Sequence, residues 1–550
     1  MLLDQSVQKD FLEELQTLEH FRIAYTAGRS GLHLDRDDPD VKRLIEAMAF
    51  FAVRSRLAAV SNVVASQLRI FQQLYSYLLA PLPSMGILRA GPKGQFVDPT
   101  VLPKGAEIAV SPVSGGMALF RTTRDLRILP IALHEFKMLL LPEKGYRVLL
   151  RFGASFARND EIGRLELHID HLNDYPASLR IFHCLQEHFT GCSVIFDAKA
   201  DEMSRGVACE LKFGPPADEE PDDETAHPMQ KEQSFFHMPE QELCLNIEIP
   251  EPLRNWSAFT VMIDLDRNWP RALVLNRDLF HLFCVPIVNL RRSMAQPILC
   301  DGTQERYPIR HLNSELGFEP HTVLGVYEVA KSGMKPLKAG IVSGGEGSYE
   351  IMRIPDKKGA MKQWLALHYT ETFNKPVTIA VDGLWLQPWF SEAMAGSRSI
   401  APYSRNIAGV SWDFLGEPVP HIENDFLEGM ESYMHLLTMT NKSELNTDDL
   451  ACLLQTMGSI HRGEFREVTG DLASVRIEEV QGRGGGKGML KYVYYLRFRE
   501  FDSAMRPLVE VFAAHVRNIL DNWLSEGEVE VRVETSAETD RRLVAGRAGI

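Results

Sequence analysis

The stretch LYSYLLAPLPSMGIL, residues 74–88, divides two kinds of sequence. Before it, apolar residues recur every three or four positions, the spacing of one face of an α-helix. After it they alternate or run in short blocks, the pattern of strands. Pro81 and Pro83 bias Ala80 and Leu82 away from helical geometry, and neither proline carries an N–H. The helix must end sharply here and the chain must leave extended. Ser84 can hydrogen-bond the local backbone, and Gly86 lets the next strand approach closely. Pro81, Pro83, Ser84 and Gly86 are therefore expected to form a structural joint that needs no ligand.

Upstream of this joint, residues 3–25 form an amphipathic helix, with Val7, Phe11, Leu15, Leu18 and Tyr25 at helical steps and GRSG (28–31) ending it. Asp38-Pro39 opens a second helix, with Asp38 as cap and Pro39 at the first position, where no N–H is needed. It is expected to run to about Leu79. Its segment AMAFFAV (47–53) is apolar all round, and such a helix must be surrounded. Either the later domains of this chain cover it or a partner's helices do. The residues expected to face such a partner are Phe11, Leu15 and Leu18 on the first helix and Leu44, Met48 and Phe51 on the second.

Downstream, RLELHID (164–170) and LCLNIEI (243–249) alternate, HLFCVPIVNL (281–290) is a dense apolar run, and a helix is expected over 176–189. GPPADEEPDDETAHPMQKE (214–232) combines prolines with acids and predicts a disordered surface loop. Short β-like segments and Gly-rich turns continue through 300–420. Helices are expected at 423–437 and 447–458, strands at 474–480 and 489–499, an amphipathic helix from Leu508 to Trp523, and a last strand carrying Val529, Val531 and Val533. The fold class is thus α+β and multidomain. It comprises an N-terminal long-helix bundle segment (1–80), a β-rich wing domain (81–299) with the acidic loop 214–232, and a second β-rich domain (300–422). A small C-terminal α+β domain (423–535) and a flexible tail (536–550) complete it. The central wings are expected to be sandwich- or barrel-like.

The 550 residues exceed one ordinary domain, and 45% hydrophobic with 24% charged residues is the composition of a globular chain. A net charge of −15 argues against wrapping nucleic acid and against an anionic membrane surface as main partner. Seven cysteines without a C-x-x-C read as thiols in a reducing compartment. MLLDQSVQKDFLEELQ has no signal-peptide core, and Arg54 and Arg56 cut the best membrane candidate, 47–68, far short of the ~20 residues a span requires. A cytosolic protein without membrane insertion is expected.

No motif carries chemistry. QGRGGGKGML (481–490) has Gln481 where a P-loop needs its first glycine, Gly488 where it needs Ser or Thr, and a strand where it needs a helix, so it reads as a hairpin loop. In HIDH (168–171) only His168 and Asp170 share a strand face, with His183 and His188 nearby; two ligands fall short of the three of a catalytic zinc site. SPVSGG (111–116) and AGSRS (395–399) are not nucleophile elbows. No catalytic, cofactor-binding or metal-binding residue is assigned, no cofactor is expected, and an enzyme is not expected.

Four stretches, in order, resemble one family: TssF (VasA/ImpG), a baseplate wedge subunit of the bacterial type VI secretion system. They are DPDVKRLIEAMAFFAVRSR (38–56), LYSYLLAPLPSM (74–85), VLPKGAEI with FRTTRDLRILPI (101–108 and 120–131), and LFCVPIVNL (282–290). The chain departs from the family at Ser76, where a proline usually separates the two aromatics, at NVVASQL (62–68), which lacks a Phe-Pro pair, and at FDSAMRP (501–507). It resembles a divergent member. The resemblance implies a non-enzymatic scaffold that assembles with TssG, TssK, TssE-like subunits and a second copy of itself. Such wedges surround a spike hub and hold a contractile sheath, lying in the cytoplasm and reaching the inner membrane through other subunits. A wedge of a phage tail or another contractile injection particle, and an enzyme of an unrecognised kind, are the alternatives.

Overall fold

Two long helices account for the N-terminal pattern: α1, Leu2–Ala27, and α2, Pro39–Leu74. The computed structural model describes residues 2–27, 38–94, 96–113, 115–141, 145–216, 227–252, 255–331, 333–340, 347–355, 361–369, 376–390, 398–423, 430–440, 442–481, 490–499, 501–524 and 527–535. The expected GRSG stop, the AGSRS segment, most of the 481–490 loop and the 536–550 tail lie largely or wholly outside them. By its internal packing the chain separates into two units, Met1–Leu74 and Tyr75–Ile550.

In the first unit Asp38 caps α2, its Oδ1 accepting from the Asp40 N–H at 2.9 Å. Arg56 of α2 reaches Asp10 (3.5 Å) and Glu14 (3.8 Å) of α1. With only residues 28–38 to connect the helices, that contact requires an antiparallel hairpin, because a parallel pair would need a longer link.

α2 stops earlier than expected. Tyr75 leaves helical geometry (φ −126°, ψ 36°), and a separate turn, Ser76–Leu79, follows. The second unit, Tyr75–Ile550, explains the break. The Tyr75 ring stacks on Trp523 at 5.5 Å and the Tyr77 ring on His227 at 3.9 Å. Two rings two residues apart cannot both be held this way on one helix face.

The second unit is mainly antiparallel sheet. A six-stranded sheet runs in the order Arg398–Pro402, Glu107–Pro112, Ala118–Thr122, Cys284–Val288, Met85–Pro92, Val410–Val419. Its outer strands approach each other, so it is nearly a closed barrel. Arg398 spans the gap, pairing with Glu417 at 2.8 Å and lying 4.9 Å over the Phe414 ring. Two smaller sheets are built from 131–282, one five-stranded and one four-stranded. The run HLFCVPIVNL serves two sheets. Phe280–Leu282 pairs with Gly163–Ile169, Phe283 turns through φ 55°, and Cys284–Val288 joins the six-stranded sheet. Residues 291–386 form two further sheets that share a core around Ile298, Tyr307, Leu365, Val381 and Trp385.

At the C-terminus, Leu472–Gln481, Leu490–Phe498 and Glu528–Thr535 form a sheet whose second pair is parallel, joined through the helix Arg506–Trp523. That helix buries Leu508, Phe512, Val516, Ile519 and Leu520. Mixed α+β is therefore the class. The expectation of a loop through residue 232 is corrected: a helix, Pro228–His237, begins with a capping box between His227 and Gln230 and with Pro228 in its first turn. Its Met229, Phe235 and Phe236 are buried, and three large apolar side chains on a capped helix outweigh the acidic neighbourhood. Glu232 on it receives His515 at 2.7 Å, with Glu242 at 3.5 Å from the other ring nitrogen and Phe235 stacked on the imidazole at 3.4 Å.

The elbow is held from five directions. Arg353 donates to the Leu79 carbonyl, and His321 Nε2–H to Pro81 O at 3.0 Å. Leu82 and Ile422 exchange both backbone hydrogen bonds, at 2.9 and 3.0 Å. His237 Nε2–H donates to Pro83 O at 2.9 Å, and the Asn289 N–H to Ser84 O at 2.8 Å. Because each Nε2 faces a carbonyl, each Nδ1 is the acceptor, from Ser459 Oγ at 2.6 Å for His237 and from Thr322 Oγ1 at 2.8 Å for His321. Gly86 lies in a tight seat. A Cβ there would meet Phe414 Cε1 at 2.7 Å and Pro418 Cβ at 3.1 Å.

Three outcomes follow from this packing. Burial, aided by Arg353 and His421 around His321 and by His421 near His237, pushes the two elbow imidazoles from 6.5 down to about 3 (His321) and about 4 (His237). They are neutral in the fold, so their stabilisation is complete above pH 6.5 and is lost as pH falls below it. His515 has the opposite sign. Burial lowers it, but hydrogen bonds to Glu232 and Glu242 prevail and raise it to about 8, so its contribution is complete below pH 6.5 and is lost as pH rises through about 8. Urea denaturation across pH should show both flanks. A His237→Gln, His321→Gln double variant should flatten only the acid flank, and His515→Gln only the alkaline one. Separately, Gly86→Ala should cost about 1–3 kcal/mol by overpacking, and Phe414→Leu in the same chain should recover part of it in thermal melts.

Candidate interaction surface

The hairpin α1–α2 divides its apolar residues between two faces. On α2, Val41, Ile45, Ala49, Val53 and Leu57 form the inward row, with Ala49 and Val53 fully buried. This is the i, i+4 stripe of one helix face. On α1, Phe11, Glu14, Leu15, Leu18 and Arg22 are the half-buried row, and Glu14 identifies it as the side toward α2 through its pair with Arg56. The expected sextet therefore splits. Phe11, Leu15 and Leu18 lie on the packed stripe, whereas Leu44 (61% exposed), Met48 (53%) and Phe51 (69%) point away from it. Phe50 on α2, and Leu12, Phe21, Ile23 and Tyr25 on α1, add to the exposed apolar surface. Scattered exposed leucines and phenylalanines are ordinary; here they recur along both helices. Sequence periodicity identified the apolar excess but could not say which of the two rows the hairpin would consume.

The other expected joint residues, Pro81, Pro83, Ser84 and Gly86, lie in the elbow just described. The chain stretches that surround it are brought together by the sheet. Met85–Pro92 pairs with Cys284–Val288, and Cys284–Val288 pairs with Ala118–Thr122. Three stretches far apart in sequence are thus adjacent strands. A buried amide pair extends the contact. Asn289 Nδ2 donates to Leu119 O at 2.9 Å and to Gln387 Oε1 at 3.2 Å, while Gln387 N donates to Asn289 Oδ1 at 2.8 Å and Gln387 Nε2 to Leu316 O at 2.8 Å. Arg124, from the same FRTTRDL segment, is buried and paired with Glu166. None of these polar residues was singled out from sequence. Lone Asn, Gln and His residues in apolar runs carry no periodic signal.

The histidines of HIDH and its surroundings are dispersed. His168 is a core residue whose Nδ1 is 3.7 Å from Cys244 Sγ, and burial pushes its pKa down to about 3. The His171 N–H donates to Ser178 Oγ, His188 pairs with Asp266 at 3.0 Å, and His183 with Glu510 at 3.0 Å. Among the described residues no group of three or more His, Cys, Asp or Glu side chains could hold a metal ion. A cleft of about 560 Å³ lies between the helices Tyr175–His188 and Arg506–Trp523, lined by Arg180, His183, Cys184, Glu187, Arg506 and Glu510. Its thiol, Cys184, is raised by burial and by Glu187, so it is not an activated nucleophile. Among the described residues no helix is long and apolar enough to cross a membrane.

Comparison with known proteins agrees with this architecture. The chain is similar to a subunit of the type VI secretion system TssK–TssF–TssG baseplate subcomplex solved by cryo-electron microscopy, with a TM-score of 0.70 at 18% identity, covering 90% of this chain and 97% of that one. It is also similar to a chain of the baseplate complex from the type VI secretion system, with a TM-score of 0.55 at 16% identity and 96% of each chain covered. No curated protein sequence matches it. The family description "Type VI secretion system, TssF" matches residues 18–344, more than half of the chain, and includes the C-terminal part of α1, all of α2, the elbow and the six-stranded sheet through Cys284–Val288. The chain belongs to the TssF family of type VI secretion systems.

Proposed function

We propose that this chain is a structural wedge component of a type VI secretion baseplate, a scaffold and not an enzyme. It assembles with TssG, TssK and TssE-like subunits and with a second copy of itself around the spike hub, and there anchors and triggers the contractile sheath. The exposed apolar rows of α1 and α2 carry this reading. Leu44, Met48 and Phe51 are over half exposed, and covering each would stabilise an assembly by up to roughly 1.5–3 kcal/mol. Helices of a partner or of a second copy, laid along the hairpin, would complete a bundle. Phe11, Leu15 and Leu18 then serve by holding the two helices in register. Membership of the family and the likeness to chains of solved baseplate complexes support the assignment of partners.

The elbow at Pro81, Pro83, Ser84 and Gly86 acts in this reading as a fixed joint. Its carbonyls are bonded to distant parts of the second unit, so the direction in which the chain enters the first strand is set by five separate segments. The net charge of −15 accords with protein partners in the cytoplasm, with the inner membrane reached through other subunits.

The test is co-purification of the full chain with its TssG-like and TssK-like neighbours. A Leu44→Asp, Met48→Asp, Phe51→Asp variant should lose at least about 2 kcal/mol of binding, a roughly thirtyfold drop in affinity. Its helical circular dichroism should be unchanged, because these side chains do not pack within the hairpin. Full recovery of the complex by the triple variant would overturn the proposed surface. A wild-type chain that stays monomeric with both neighbours present would overturn the scaffold reading.

A further inference from the structure

Seven cysteines without a C-x-x-C gave no reason to look for a thiol pair, yet the five-stranded sheet makes one. Its edge strand, Val207–Ala208, runs antiparallel to Phe189–Phe196, with Val207 opposite Val194 and Ala208 opposite Ser193. The next position along places Cys209 opposite Cys192, and the Cys209 N–H donates to Cys192 O at 3.0 Å. Directly opposed residues of an antiparallel pair have Cα atoms about 4.5–5.5 Å apart, inside the range of about 4.4–6.8 Å that a disulfide spans. The Cys209 S–H donates to Val207 O, on its own edge strand, at 3.6 Å.

The surroundings hold this arrangement. Arg147 forms a two-pronged pair with Asp264, at 2.6 and 2.9 Å, and its remaining N–H groups reach Ser204 O at 2.9 Å and the Asp201 and Glu202 carbonyls at 3.4 Å. The loop that returns the chain to Cys209 is thus pinned to the central strand Trp256–Leu265. Gly206 packs so closely on the neighbouring strand that a Cβ there would lie 2.6 Å from Val194 O. The two sulfurs differ in access. Cys192 is buried and Cys209 half-buried on the sheet edge.

We propose that Cys192 and Cys209 are an oxidisable dithiol that closes to a cross-strand disulfide by exchange with a glutathione-type disulfide. The accessible Cys209 reacts first. The neighbouring Cys192 thiol lowers its pKa, while Cys209, burial and Asp264 raise that of Cys192. The Cys209 thiolate attacks one sulfur of oxidised glutathione, forming a protein–glutathione disulfide and releasing one glutathione thiolate. The Cys192 sulfur, having lost its proton, attacks Cys209 Sγ, forming the Cys192–Cys209 bond and releasing the second glutathione thiolate. The protein loses two electrons and two protons; the oxidant gains both electrons, and the two protons end on its thiolates. The bond would staple the two-residue edge strand to the sheet and close off an edge otherwise open to pairing.

The test treats the full chain with oxidised glutathione, quenches it with N-ethylmaleimide in denaturant, and maps peptides by mass. A cross-linked Cys192–Cys209 peptide should dominate. The count attributable to this reaction is a loss of two of the seven free thiols, restored by dithiothreitol. Cys192→Ala should stop at a glutathione adduct on Cys209, and Cys209→Ala should leave Cys192 reduced. Recovery of both peptides as separate maleimide or glutathione adducts from the wild-type chain would overturn the proposal. So would cross-links that join either cysteine equally to Cys184 or to any other cysteine, because the geometry of the strand pair would then confer no preference.

Discussion

Everything in the second unit depends on how the chain gets from a helical turn into a sheet without leaving polar backbone groups unpaired. Between Leu79 and Ser84 two prolines remove the N–H groups that could have continued a helix, and the carbonyls left behind are buried. A buried carbonyl without a partner costs about 1–3 kcal/mol, and several in a row would prohibit the packing altogether. The fold supplies partners one by one: Arg353 for Leu79, His321 for Pro81, Ile422 for Leu82, His237 for Pro83 and Asn289 for Ser84. These donors come from segments that belong to different sheets and helices. Satisfying the elbow therefore brings those segments to one place.

The same economy of polar groups continues outward. Asn289 bonds Ser84 through its backbone and Leu119 and Gln387 through its side chain, so the elbow, the near-barrel and the edge of the 291–386 sandwich share one buried hydrogen-bond chain. Such a network is stabilising only when every member is paired, and a sequence that meets that condition is specified far more tightly than apolar burial alone would require. Gly86 and Gly458 show the steric counterpart. The first gives room to Phe414, and the second, at φ 68°, to Leu82. The elbow is consequently a fixed turn, which sets the direction in which the chain enters the strand Met85–Pro92.

Much of this was legible beforehand. Pro81 and Pro83 announced the exit, Asp38-Pro39 the start of α2, and Leu508 to Trp523 the last helix, because capping, proline geometry and a 3.6-residue period act through neighbours in sequence. The misses share a cause. Tyr75 breaks α2 because its ring and that of Tyr77 are claimed by Trp523 and His227. The acidic stretch ends at His227 because Phe235 and Phe236 are buried. Segment 398–419, placed by its sequence beside the strands of 300–422, instead supplies both outer strands of the sheet begun at Met85. In each case a contact between distant residues outweighed local composition.

By itself the sequence determined where α2 and the last helix begin, that the chain is mixed α+β, and that its N-terminal helices carry more apolar surface than a hairpin can hide. Those properties follow from the order of side chains along a few turns or one strand. Only the tertiary structure decided which row of that surface stays exposed, that Leu44, Met48 and Phe51 lie on it while Phe11, Leu15 and Leu18 do not, and which buried histidines hold the elbow. It also decided that Cys192 meets Cys209. The physical reason is that burial and hydrogen-bond pairing are properties of neighbours in space, and nothing in the period of a helix or the alternation of a strand records which distant residue will be that neighbour.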